Sequence, residues 1–270
     1  MGKAIHFADV KFGDGLEGFQ ALAAENGKRP ALVLLHERYG LVQHTKDLAI
    51  KLAGDGYTTL APDLYSHWKG DKKALNDGTL QVPLKDLGVL SDLDQCISHL
   101  KTVPGVEPNK IGIVGICMTG RHALLLAAHR KDLAAAIVIY GAAGAKDWAV
   151  NEYSTEFMGD LVARLSCPLL GIFGEKDHVI SIDDVLKFRG FLEEYGKSYQ
   201  IHVLPDAPHG WLNDTMPGRY RPEATKLTWE LLMRFLDKVF THPPDPNRIE
   251  WRFENNFARN YDFSRNVRLE

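Results

Sequence analysis

Cysteine is scarce in this chain: Cys96, Cys117 and Cys167 are the three among 270 residues. The count is odd and no Cys-x-x-Cys spacing occurs, which argues against a disulfide framework and against a thiolate zinc site. Free thiols suit a reducing compartment, so a cytoplasmic protein is expected. No apolar run approaches the roughly 20 residues that a membrane-spanning helix needs. The opening fifteen residues hold no apolar segment of the kind that marks a secretory leader. No block of like charge occurs and the formal net charge is -3, which points away from nucleic acid and from an acidic disordered tail. His-Glu-x-x-His is missing, and His36, His44 and His129 are scattered, so neither metal nor cofactor is expected. Gly-x-Ser-x-Gly is missing too, which leaves a serine nucleophile without a candidate.

What remains is ordinary globular composition, 45% hydrophobic and 25% charged, enough for one large core. Short apolar, β-branched runs alternate with amphipathic segments. Strands are predicted at 31–36, 57–62, 110–116, 134–141, 168–174 and 199–205. Helices are predicted at 44–56, 84–103, 118–130, 181–195 and 222–241. Two leading segments, "AIHFADV" and "GFQALAA", suggest a hairpin. The alternation implies βαβ units, a mostly parallel sheet and ligands at the carboxyl ends of its strands. Residues 64–83 read as loop. One domain is expected over 1–241. Residues 242–270 form a tail whose Trp251, Phe253, Phe257, Tyr261 and Phe263 suggest packing on the domain or on a partner subunit.

The run "IVGICMTGR" ends a predicted strand at Cys117. Gly115-x-Cys117-x-Thr119-Gly120 resembles a nucleophile elbow, a sharp strand-to-helix turn that lifts a side chain over the sheet edge. A helix start beside a thiol favours its anion. Thr119 departs from the small residue preferred there. A free cysteine is more often core filling, so the elbow needs company. Asp177 follows the strand at 168–174, although an aspartate there can equally cap a helix, and Asp183 or Asp184 could compete. His209 follows the strand at 199–205. Nucleophile, acid and histidine stand in the order of an α/β-hydrolase triad, each after its own strand. The strand at 31–36 leads into His36-Glu37-Arg38-Tyr39. In that fold, the backbone N–H groups of Arg38 and Met118 are the candidate oxyanion donors. Tyr39, Trp211 and Arg121, beside these residues in sequence, are candidate substrate contacts.

"LLHERYGL", "GYTTLAPDLY", "IGIVGICMTGR", "IFGEKD" and "APHGWLND" together resemble the dienelactone hydrolase family, over roughly residues 15–240. The resemblance implies an α/β-hydrolase fold and a Cys117-His209-Asp177 triad that opens a small lactone or ester. Glu37 would help turn the resting thiol into a thiolate. It also implies two arginines and a serine for a substrate carboxylate. Gly210 stands where the serine would be and Asn213 where one arginine would be, and the segment 67–86 holds no arginine. Lys69, Lys72, Lys73, Arg219 or Arg221 could replace them, although lysine lacks the bidentate fork. Two other readings stand beside this one: a cysteine hydrolase for a different ester or thioester, and a non-catalytic protein of the same fold that binds a small ligand. A monomer or homodimer is expected.

Overall fold

A computed structural model describes residues 4–24, 27–243, 245 and 248–255. One nine-stranded sheet organises them. Its strands are β1 (Ile5–Phe12), β2 (Leu16–Ala23), β3 (Arg29–Leu34), β4 (Thr58–Pro62), β5 (Val106–Ile116), β6 (Ala135–Ile139), β7 (Leu169–Gly174), β8 (Tyr199–Leu204) and β9 (Trp251–Glu254). They lie in the order β1-β2-β4-β3-β5-β6-β7-β8-β9. The leading hairpin forms, and β2 pairs antiparallel with both β1 and β4. From β4 to β9 every pairing is parallel. The mostly parallel sheet expected from the alternation, and the α/β-hydrolase architecture that the resemblance implies, are therefore those found.

The helices are α1 (Gln43–Gly54), α2 (Lys72–Asp77), α3 (Asp86–Thr102), α4 (Gly120–His129), α5 (Met158–Arg164), α6 (Ile182–Glu194) and α7 (Pro222–Thr241). They cover both faces of the sheet. This explains why β4, β6 and β7 are buried at every residue instead of alternating. Along β5, Ile111 and Ile113 enter one core with Leu93, Ile97 and Leu124, while Val114 and Ile116 enter the other with Leu52, Leu231 and Phe235. That division is the period-2 geometry of a strand covered on both sides.

The structure adds two short helices to the expected elements. α2 lies inside 64–83, capped by Asp71, and α5 precedes β7. Neither completes two full turns, so neither shows a helical period in the sequence. The tail also contributes: β9 pairs with β8, and the Phe253 ring packs on the core beneath the Arg189 guanidinium. Phe257, Tyr261 and Phe263 lie outside the described residues.

Candidate active site

Because β3, β5, β7 and β8 run parallel, the segments that follow them meet at one edge of the sheet. Cys117 opens the turn after β5 with φ +57°, a left-handed conformation unusual for a residue with a side chain. The turn is held by contact on both sides. A Cβ on Gly115 would stand 2.6 Å from the Thr119 carbonyl oxygen, and one on Gly120 would stand 2.8 Å from Gly141 Cα. Backbone strain at a sheet edge persists when its surroundings over-determine it. The crowding that a small residue must absorb thus falls on Gly120, and Thr119 is accommodated with its side chain fully buried.

Cys117 Sγ lies 3.1 Å from His209 Nε2. His209 Nδ1 donates to Asp177 Oδ2 at 2.9 Å. The other Asp177 oxygen accepts the N–H groups of Val179 and Ile180 at 2.7 and 3.0 Å, which fixes the carboxylate. Asp177 is not the cap of the helix that follows. That position belongs to Ser181, paired with Asp184, so Asp184 is already engaged. Burial works against a charged His209, but the bonds to Asp177 and Cys117, with the charges on both, more than offset it and raise its pKa to about 10. A histidine poised to hold a proton between a thiol and a buried carboxylate is the arrangement of a cysteine hydrolase.

Glu37 is buried, and its Oε2 accepts from Asn213 Nδ2 at 2.6 Å. The residue at the family's arginine position therefore anchors Glu37 through a neutral amide. The fully buried Tyr140 lies edge-on to both His209 and Trp211. Burial first, then the charges of Glu37, Cys117 and Asp177, keep its phenol neutral well above the usual range. Arg38 is half-buried; its Nη2 donates to the Gly78 carbonyl, and its guanidinium lies over the Tyr39 ring. Tyr39 is nearly buried and its hydroxyl reaches Met216 Sδ at 3.6 Å.

Two expected substrate contacts do not face the cleft. Trp211 is fully buried, and its indole N–H donates to Thr228 Oγ1. Arg121 is 3% exposed, and all its contacts are structural. Nε and Nη2 grip both Asp86 oxygens at 3.1 and 2.7 Å, and Nη1 and Nη2 reach the Asp147 and Glu156 carbonyls. Helical rotation turns Arg121, four residues beyond Cys117, toward α3. Among the candidate cations, Lys72 and Lys73 pair with Asp63 and Asp77, and Arg221 bonds nearby carbonyls. Arg219 differs. Its side chain crosses Gly210, the residue after His209 in sequence, with Cδ 3.4 Å from where a Cβ there would stand. Sequence reading had no signal for the Glu37–Asn213 bond, which joins residues 176 positions apart. Among the described residues no cluster of potential ligands could hold a metal ion, and no helix is long and apolar enough to cross a membrane.

The model of the Dienelactone hydrolase family matches residues 16–240. The chain is 32% identical over 239 residues to a Yersinia pestis protein named "Putative carboxymethylenebutenolidase", covering 85% of each. It is 26% identical to a Bradyrhizobium protein named "Probable 2-oxo-3-(5-oxofuran-2-ylidene)propanoate lactonase", covering 83% of this chain and 90% of that one. A crystal structure titled as a putative dienelactone hydrolase from Klebsiella pneumoniae superposes with a TM-score of 0.75 at 29% identity, over 87% of this chain and 99% of the other. The chain belongs to the dienelactone hydrolase family, and it is a hydrolase of a small ester or lactone.

Proposed function

We propose that Cys117 is the nucleophile, His209 the proton carrier and Asp177 its orienting acid in the hydrolysis of a small carboxylic ester or lactone. The observation that carries this reading is the unbroken line of contacts, 3.1 Å from Sγ to Nε2 and 2.9 Å from Nδ1 to Oδ2. The thiol proton passes to His209 and the sulfur attacks the substrate carbonyl carbon. The electron pair displaced from the carbonyl forms an oxyanion, received by the backbone N–H groups of Arg38 and Met118. On collapse the C–O bond breaks, and His209 gives its proton to the departing oxygen. His209 then takes a proton from water, and the resulting hydroxide attacks the thioester. The acid leaves and the thiolate is restored. Glu37, anchored by Asn213, helps turn the resting thiol into a thiolate when substrate binds.

Arg219 is the candidate cation for an anionic substrate group, because its side chain lies against Gly210, the residue after His209, and lacks a side-chain partner among the described residues. Tyr39 is a second candidate substrate contact. Residues 1–241 form the hydrolase domain, and the tail from 242 packs on it, with Trp251–Glu254 extending its sheet. The three free cysteines favour a cytoplasmic location.

The test is hydrolysis of paired aryl esters, one carrying a carboxylate and one uncharged. Cys117→Ala should abolish turnover of both. Arg219→Met should raise KM for the charged ester alone. Full activity in Cys117→Ala would refute the mechanism.

A further inference from the structure

We infer that Thr119 is a positioning residue, whose hydroxyl ties the nucleophile turn to the loop that carries the Arg38 N–H. The inference rests on the proposed role of that N–H as an oxyanion donor. It begins where the sheet opens. The backbone ladder between β3 and β5 reaches Leu35, whose N–H donates to the Val114 carbonyl at 2.8 Å. Ile116 lies two residues further along β5 and faces the same side. Its N–H donates instead to Thr119 Oγ1 at 3.1 Å. The Thr119 hydroxyl in turn has two carbonyl acceptors at 2.9 Å, those of His36 and of Ile116. One hydroxyl proton serves one of them at a time. A single buried oxygen thus stands between the end of β5 and the loop after β3, where the two strands part to make the cleft.

The restraint continues through His36. Its ring is fully buried and stacks on Tyr65. Nε2 accepts the Leu64 N–H at 3.1 Å, so Nδ1 carries the proton and donates to the Glu37 carbonyl at 2.6 Å. These partners require a neutral ring, and burial favours the neutral form. Two successive carbonyls, those of His36 and Glu37, are therefore fixed. The Glu37–Arg38 peptide is trans, so its N–H points opposite to its C=O. Holding the Glu37 carbonyl against His36 sets the direction of the Arg38 N–H. Cys117 and that donor must be placed relative to each other, and Thr119 is the residue bonded to both segments.

Thr119→Val removes the hydroxyl and keeps the shape. A small displacement of a donor is felt in turnover far more than in substrate binding. The expected result is a fall in kcat of about 10- to 100-fold with KM unchanged. The affinity for a small aryl aldehyde, whose thiolate adduct places an oxygen where the oxyanion forms, should fall in parallel. Alkylation of Cys117 by iodoacetamide needs no oxyanion donor and should keep its rate. Thr119→Ser should restore both lost quantities. If Thr119→Val does not fold, His36→Gln, which loses the Nδ1 donor, should give the same split. Unchanged kcat, a parallel loss of alkylation, or failure of serine to rescue would overturn the proposal. Failure of the triad reading would be visible separately, as hydrolysis surviving in Cys117→Ala.

Discussion

Replacing Asp177 by asparagine removes one charge from the line Cys117-His209-Asp177 and keeps its shape. In the native protein the His209 pKa is raised to about 10, because two close partners outweigh burial. The carboxylate lies 2.9 Å from Nδ1 and has a fully buried side chain. An opposite charge at that range moves a pKa by about 1–3 units. The alkaline limb of kcat/KM, where His209 loses the proton it must give to the leaving oxygen, should therefore fall from about 10 to about 7–9. A second effect acts on turnover. The asparagine amide can donate to Nδ1, which shifts the ring proton to Nε2 and blocks acceptance of the thiol proton. Loss of up to about 10⁴ in kcat is expected from such a tautomer change.

The same contacts bear on stability, with a definite sign. His209 is raised from 6.5 to about 10 in the folded protein. The stability gained from its partners is complete below about pH 6.5 and disappears as pH rises through about 10. Its ceiling, shared with the thiol, is on the order of 5 kcal/mol. Hydrolysis of phenyl acetate across this range, with Cys117→Ala as the blank for spontaneous reaction, reads the limb. Urea unfolding at neutral and alkaline pH reads the stability, which should decline less in Asp177→Asn. An alkaline limb at the same pH in both proteins would refute the reasoning.

Glu37→Gln keeps an acceptor for Asn213 and removes the buried carboxyl group. Turnover should drop about 10- to 100-fold with a changed pH profile, and an unchanged rate and profile would remove Glu37 from the mechanism. Arg121→Met leaves the buried Asp86 carboxylate without its partner. Unfolding free energy should fall by about 3–5 kcal/mol, measured in urea, and the double change with Asp86→Leu should recover much of the loss. A raised KM with native stability would instead return Arg121 to substrate binding.

The residues that perform the chemistry were legible because each belongs to a local pattern. Cys117, Asp177 and His209 all follow an apolar run that ends abruptly, and parallel strands bring such ends to one edge. The residues that aim them were not legible, for two physical reasons. Nearness along the chain is not nearness in direction. Arg121 sits one helical turn past Cys117, yet its side chain points at Asp86, and Trp211 sits two residues past His209 yet points into the core. The second reason is that a supporting bond has no sequence period. Asn213 reaches Glu37 and Thr119 reaches His36 across 176 and 83 residues.

Those two bonds alter the chemical meaning of the motif. Where the family pattern would set an arginine four residues after the histidine, a neutral amide stands and bonds the buried Glu37. It also leaves Arg219, whose side chain lies against Gly210, as the candidate cation for a substrate anion. Where the pattern would set a minimal residue in the elbow, a hydroxyl joins the two strands that open the cleft. Both changes leave the line from Cys117 to Asp177 intact and act on what surrounds the substrate carbonyl. They are therefore expected to alter which esters are accepted, and how well their oxyanion is held, before they alter whether the thiol attacks.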